Sequence, residues 1–243
     1  MVARLPPVNT LVLATRNAHK VEEIRAVLGI GVRCLSLADL PPAPEVVEDA
    51  QTFVGNALKK ARAVAAWLRA GAWADSLDGA IFVMADDSGL EVDALGGAPG
   101  VRSARYASEA GAGGNVPDAL NNAKLLAALI SVAAPARTAR FRCAIALVAL
   151  SDPRKSPRNV EKYQAAGDRG SFGEQTFEGT CEGLIALAPS GSSGFGYDPL
   201  FIPTGFTESF AQLGEEAKNR ISHRGRALEL VKESLEPLRA MEG

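Results

Sequence analysis

Several short stretches of this chain carry side chains that could do chemistry. Thr15-Arg16-Asn17-Ala18-His19-Lys20 lies where an apolar run gives way to a helical pattern. Free backbone N–H groups and the helix dipole favour an anion at such a place, and Lys20 adds a full positive charge. The stretch has no glycine and does not fit GxxxxGK[ST], so it is no Walker A loop, and a solvated loop with a capping residue explains it as well. Asp86 and Asp87 follow directly on another apolar run, and adjacent carboxylates repel unless a cation or a proton neutralises one. Neighbouring strand residues point to opposite faces, which leaves one of the two for a cleft. Glu45, Glu48 and Asp49 offer a second oxygen ligand; the plainer alternative is a turn in which aspartate caps the next segment.

Phe195-Gly196-Tyr197-Asp198-Pro199, after the turn Gly191-Ser192-Ser193-Gly194, sets aromatics beside glycines where backbone can approach a flat ring. The same pattern also serves as a core plug, and its spacing does not fit GxGxxG. Lys218, Ser222, His223 and Arg224 concentrate donors near the start of the last helical pattern, where a surface cluster is the ordinary reading. Together, donor-rich stretches, a carboxylate pair and an aromatic-glycine turn are the parts of a nucleotide and metal site.

The elements that must position these residues follow from periodicity. Leu11 to Ala14 is strand-like, and Val21, Ile24 and Leu28 recur at helical spacing until Gly29. Val32 to Leu37 reads as a second strand, and Pro41, Pro42 and Pro44 forbid regular structure until about Asp49. A helix is expected from Thr52 to Ala70, with Phe53, Ala57, Val64, Trp67 and Leu68 on one apolar face and Asn56 and Lys60 sharing another. Ile81 to Ala85 is expected to deliver Asp86-Asp87-Ser88-Gly89 at its tip, with Leu90 to Leu95 returning as a separate strand before the Gly96-Gly97-Ala98-Pro99-Gly100 turn. After a loop at Gly111 to Gly114 come a helix from Asp118 to Ile130 and a strand from Arg140 to Leu150. Ser151 to Gly173 reads as an excursion and Phe177 to Leu187 as the returning strand. A final amphipathic helix carries Leu228, Val231, Leu235 and Leu238 on one face, with Ser222 as its N-cap.

Composition narrows the classes. At 243 residues, 47% hydrophobic and 22% charged, the chain has the make-up of a globular protein, and no Pro/Ser-rich or charged linker divides it, so one domain over residues 1–243 is expected. A formal charge of −2 gives no electrostatic reason to bind nucleic acid or an anionic membrane. The start of the chain has no run of signal-peptide length, and the apolar stretch Cys143 to Leu150 falls far short of the ~20 residues that span a bilayer, so a soluble cytoplasmic protein is expected. Cys34, Cys143 and Cys181 are widely spaced and odd in number, which suits small core residues. Two histidines cannot build a multi-histidine zinc site, so any metal is held by carboxylates, which points to Mg²⁺ or Mn²⁺.

The order and spacing of the motifs resemble the inosine/xanthosine triphosphate pyrophosphatases. The resemblance rests on Thr15-x-Asn17-x-x-Lys20, Glu48 ahead of Thr52-Phe53, Ala85-Asp86-Asp87-Ser88-Gly89-Leu90, Gly96-Gly97-x-Pro99-Gly100, Ser103-Ala104-Arg105, Gly194-Phe195-Gly196-Tyr197-Asp198-Pro199 and Ser222-His223-Arg224. It implies an α/β fold with a long mixed sheet flanked by helices, two lobes with the active-site cleft between them, a homodimer, and Mg²⁺ as cofactor, Mn²⁺ being a possible substitute. It implies hydrolysis of aberrant purine nucleoside triphosphates to a monophosphate and pyrophosphate. On this pattern Thr15, Asn17, Lys20 and Lys60 hold the triphosphate, Asp87 is general base and metal ligand, Glu48 is a further metal ligand, and Ser88 lies beside the substrate. Phe195, Gly196, Tyr197 and Asp198 pack on and read the purine, and Lys218, His223 and Arg224 contact base and nucleotide. Arg16 departs from the small residue common at its position, and the excursion from Ser151 to Gly173 is longer than the family pattern leads one to expect. A Maf-type pyrophosphatase of other modified nucleotides would need a different base pocket, and a catalytically silent nucleotide sensor would be expected to have lost Asp87 or Glu48.

Overall fold

The computed structural model describes residues 10–29, 32–71, 81–108, 116–150 and 173–240, the side chains of 236–240 excepted. Residues 1–9, the Gly111 to Gly114 loop, the excursion up to residue 172 and the Leu238 side chain lie outside the described residues.

The short apolar run at the start becomes β1 (Thr10–Leu13), buried at every position. It lies between β2 (Arg33–Ser36) and β3 (Ile81–Val92) and runs parallel to both. β4 (Thr138–Ala149), β5 (Glu174–Ile185) and β6 (Phe201–Pro203) continue the sheet antiparallel, in the order β2-β1-β3-β4-β5-β6. The sheet is thus mixed, with helices on both faces, as the resemblance implies.

Helix α1 (Ala18–Leu28) starts where the Asn17 side chain accepts the Lys20 N–H, and it stops at Gly29, whose φ of 72° suits glycine. Helix α2 (Phe53–Ala70) is capped by the Thr52 hydroxyl, which accepts from the Gly55 N–H. Then come α3 (Asp118–Ala128), the short α4 (Phe210–Leu213) and α5 (Glu215–Ile221), and α6 (His223–Ala240). The expected cap of the last helix is present: the Ser222 hydroxyl accepts from the Gly225 N–H at 3.1 Å.

Strand alternation decides which helix meets which side chain. Leu11, Leu13, Phe82 and Met84 face α1 and α6, packing on Val21, Ile24, Leu228 and Val231. Val12, Val83 and Ala85 face α2 and its Ala57, Ala61, Val64 and Leu68, with Trp67 only partly buried. A third cluster joins Leu90 and Val92 to Leu125, Tyr197, Phe201 and Phe210 at the far end of the sheet. Each fully buried side chain of this size stabilises the fold by about 1.5–3 kcal/mol relative to exposure. The three cysteines are free; Cys143 and Cys181 are buried and Cys34 is half-buried. Among the described residues no helix is long and apolar enough to cross a membrane.

One element differs from the sequence reading in a way that matters. Asp86-Asp87-Ser88-Gly89 is not the tip of a strand but the middle of β3, which pairs without interruption with β4 from Phe82↔Ala149 to Val92↔Ala139. The ladder overrides the local turn preference, and Gly89 is needed for packing instead. A Cβ there would stand 2.5 Å from the Gly100 carbonyl oxygen and from the Ser103 hydroxyl, and 2.9 Å from the Phe53 ring. Ser103 uses the room: its Oγ donates to the Gly100 carbonyl at 2.6 Å and accepts the Leu90 N–H at 2.9 Å. β1 ends opposite Met84, where the Ala14 N–H donates to the Met84 carbonyl at 2.7 Å. Beyond that point β1 no longer flanks β3, so the two aspartates emerge beside the loop that leads into α1.

Candidate functional site

A cavity of about 700 Å³ opens at this place, and every sequence-predicted site residue lines it: Thr15, Asn17, Lys20, Glu48, Lys60, Asp87, Ser88, Phe195, Gly196, Tyr197, Asp198, Lys218, His223 and Arg224. Glu45 also reaches the wall, whereas Asp49 is turned outward to pair with Lys59.

The two aspartates separate by face, as strand geometry requires. Asp87 points toward α2. Its Oδ2 accepts from Asn56 Nδ2 at 2.9 Å, and Lys60 Nζ lies 3.8 Å from its Oδ1. Asn56 and Lys60 are four residues apart, so one face of α2 presents both. Burial raises the Asp87 carboxyl above its ordinary range and outweighs Lys60, Asn56 and Lys20, which lower it; the charge of Glu48 pushes the same way as burial. Lys60 is itself held charged despite burial by Asp87, Asp86 and Glu48. Its ammonium donates to the Asp86 carbonyl at 2.6 Å and to Glu48 Oε2 at 3.1 Å, and it acts on Asp87 by charge across 3.8 Å.

Asp86 points to the opposite face, toward α1 and α6, and is a buried counterion rather than part of the cavity wall. Its Oδ2 is 2.9 Å from Lys20 Nζ and accepts from Arg224 Nε and Nη2 at 3.2 and 3.1 Å. Burial alone would raise its carboxyl, but Lys20, Arg224 and Lys60 together hold it far below the usual range. Arg224 also donates to Ser88 Oγ at 2.8 Å and pairs with Glu23. Glu23 in turn reaches Lys218 at 2.8 Å, and Lys218 pairs with Asp198 at 2.7 Å. The expected surface cluster at the last helix is therefore buried: Lys218, Ser222, His223 and Arg224 are all at most 4% exposed. The physical reason is that α6 packs on the sheet with its first turn facing Asp86, which supplies the charge that lets Arg224 enter.

Glu23, which sequence reasoning passed over, links α1 to both cations. Its spacing of three from Lys20 on the same helical face was the available signal.

On the other wall, Asp198 Oδ2 accepts the Phe195 N–H at 2.9 Å, closing the turn that presents Phe195. Lys218 Nζ lies 4.4 Å from the Phe195 ring centre and the Arg224 guanidinium 5.7 Å, while the His19 imidazole stacks on the ring at 5.6 Å. Tyr197 is mainly an anchor: its hydroxyl donates to the Ser103 carbonyl at 2.9 Å and its ring belongs to the third core cluster. His223 stacks on Phe141 at 4.7 Å, and burial, with Arg224 and Lys218 nearby, drives its pKa well below the ordinary value, so it is neutral.

The Thr15 to Lys20 loop is tied to the Pro-broken segment. Arg16 donates to the Ala43 carbonyl at 2.9 Å, and Arg105 donates to the Glu48 carbonyl at 2.7 Å. Arg16, the departure noted above, thus joins the loop to the segment that carries Glu48.

The Ham1 family model matches residues 11–234, nearly the whole described chain. A dITP/XTP pyrophosphatase of Geobacter sulfurreducens is 46% identical over 226 residues, 93% of this chain and 96% of that protein. One from Desulforamulus reducens is 44% identical over 229 residues, 94% of this chain and 96% of that protein. Among solved structures, a HAM1 protein from Coxiella burnetii superposes with a TM-score of 0.71 at 34% identity, covering 94% of this chain and 98% of that one. With this match along its length and the same fold in a solved relative, the chain belongs to the Ham1 family.

Proposed function

We propose that this chain hydrolyses aberrant purine nucleoside triphosphates, those of inosine, deoxyinosine and xanthosine, to a nucleoside monophosphate and pyrophosphate. The observation that carries the reading is a buried, charge-disfavoured carboxylate, Asp87, beside the Lys60 ammonium in a cavity that also receives the Thr15 to Lys20 loop and the Phe195 turn. The shared name of the relatives, dITP/XTP pyrophosphatase, at 41% to 46% identity supports it.

The reaction class takes a divalent metal, and the donors fit Mg²⁺, with Mn²⁺ as a substitute. Glu48 and Asp87 are hard oxygen donors on one cavity wall, both beside Lys60. Among the described residues no group of three or more His, Cys, Asp or Glu forms a cage of its own. That suits an ion which keeps waters and takes its remaining ligands from substrate phosphates. When bound, it neutralises phosphate charge.

The residues of the chain supply the rest. Asp87 takes or orients the proton of the water that attacks the α-phosphorus, and its raised pKa brings it nearer the working pH of a base. Thr15, Asn17, Lys20 and Lys60 hold the triphosphate in line, and Ser88 lies beside it. Phe195 and Gly196 pack on the purine, with Tyr197 and Asp198 fixing their turn. Lys218, His223 and Arg224 present donors to base and nucleotide. A 6-oxo purine accepts from such donors; adenine, with a 6-amino donor, leaves them unpaired at a cost of roughly 1–3 kcal/mol. The reading includes one domain, a homodimer and action in the cytoplasm.

Pyrophosphate release from inosine, xanthosine, adenosine and guanosine triphosphates, with and without Mg²⁺, is the test. Mg²⁺-dependent release from the first two, well ahead of the others, is expected; the 6-oxo argument accounts for the margin over adenosine triphosphate, while guanosine triphosphate, itself a 6-oxo purine, reads whether a 2-amino group is rejected. Release of single phosphate would overturn the α-phosphorus mechanism, and tight nucleotide binding without turnover under any metal would make the protein a sensor.

A further inference from the structure

Gly196 sits on the cavity wall with φ at 63°, next to the ring of Phe195. Both of its backbone polar groups are taken by one helix. Its N–H donates to Asp118 Oδ2 at 2.7 Å, and its carbonyl accepts from Asn122 Nδ2 at 3.0 Å. Asp118 and Asn122 are four residues apart in α3, so they stand one above the other and grip the residue from both sides.

Asn122 is buried, yet its Oδ1 has no partner among the described residues. The amide nitrogen of this buried side chain is spent on the Gly196 carbonyl, which ties the turn to the helix. The grip also has something to restrain. Glycine in a left-handed conformation has no side chain to hold it there, and a rotation of its peptide would swing the adjoining Phe195. The Phe195 N–H is fixed from the other side by Asp198, so the two anchors together determine the pose of the ring. Asn121, between the two, ties α3 to the neighbouring segment by accepting the Ala107 N–H at 2.8 Å, which makes the helix a fixed support.

We propose that Asp118 and Asn122 are positioning residues which set base selectivity by clamping Gly196, and through it Phe195. The proposal rests on the purine-triphosphate reading above. Neither residue belongs to the phosphate end of the site, so loosening the clamp weakens binding and choice of the base more than it slows the chemical step.

The test compares Asp118→Ala, Asp118→Asn and Asn122→Ala for inosine and adenosine triphosphates. Loss of one clamping bond is expected to raise KM for inosine triphosphate up to about tenfold and to shrink its kcat/KM advantage over ATP by a similar factor, with kcat little changed. Asp118→Asn keeps an oxygen for the Gly196 N–H and should retain the wild-type ratio. Hydrogen exchange reads the clamp without catalysis: the Gly196 amide should lose protection in Asp118→Ala and keep it in Asp118→Asn. Asp118 is exposed, so its variants fold even if Asn122→Ala does not. An unchanged selectivity ratio in Asp118→Ala, or a loss confined to kcat, overturns the selectivity role, and unchanged Gly196 protection overturns the clamp itself. A wild type that shows no preference for inosine triphosphate brings down the purine reading instead, while the exchange result still judges the clamp.

Discussion

Asp86 and Asp87 are neighbours, both buried, and should respond to very different extents to the same isosteric change. Asp86→Asn removes the charge addressed by Lys20 at 2.9 Å and by two Arg224 nitrogens at 3.1 and 3.2 Å. Removing one partner of a buried pair costs about 3–5 kcal/mol, because the other charge is left uncompensated. Two features place this case at the lower end: Arg224 keeps Glu23 and Ser88, and the Lys20 side chain, 17% exposed, can still reach water. The expected loss is therefore about 3 kcal/mol. For a chain of this size that lowers the melting midpoint by about 6–12 °C. Asp87→Asn behaves otherwise. Burial raises the folded pKa of Asp87, so its contribution to stability falls as pH rises through that value, and at pH 7.5 the ionised form burdens the apo fold. An amide at this position can still accept from Asn56 and relieves a burial-disfavoured charge, but it also takes from the buried Lys60 the largest of its compensating charges, so stability should change by less than in Asp86→Asn, while turnover falls by roughly 10²–10⁴ with the proposed general base gone. Urea unfolding of both variants at pH 7.5 in the presence of a chelator, with pyrophosphate release measured alongside, decides the matter. A loss under about 1 kcal/mol for Asp86→Asn would refute the counterion argument. So would an Asp87→Asn protein less stable than the Asp86→Asn one.

Gly89→Ala should destabilise by about 1–3 kcal/mol or more, since overpacking must displace the Gly100 carbonyl and Ser103, and turnover should fall as Asp87 and Ser88 shift; a urea midpoint equal to wild type would show that the site gives way freely. His223, neutral in the fold, has a pKa well below its unfolded value of about 6.5, so its contribution to stability is full above that pH and is lost as pH falls below it, by up to about 1.4 kcal/mol per pH unit. The difference in unfolding free energy between wild type and His223→Phe from pH 7.5 to pH 5 reads this contribution, and a constant difference would contradict a buried neutral imidazole. Asp86, whose pKa is depressed, loses its contribution only as pH drops below about 3.8, so the two windows do not overlap.

Read from the sequence alone, the periodic elements and the motif inventory were within reach. Val21, Ile24 and Leu28 announce α1, Phe53 to Leu68 announce α2, and the expected site residues all line one cavity. These features are local: helical spacing, capping residues and motif order are written in neighbouring positions. What lay beyond it depended on long-range partners. Asp86-Asp87-Ser88-Gly89 has the composition of a turn, and only pairing with β4, more than fifty residues away, makes it the middle of a strand. Lys218 and Arg224 have the composition of a surface, and only Asp86, Asp198 and Glu23, brought in by β3, the Phe195 turn and α1, make their burial possible. Charge burial is decided by what stands opposite, and a sequence does not say what stands opposite until the sheet order is set. The sequence named residues that line one cavity; tertiary structure divided Asp86 from Asp87, making one a counterion inside the fold and leaving the other beside Lys60 at the cavity wall.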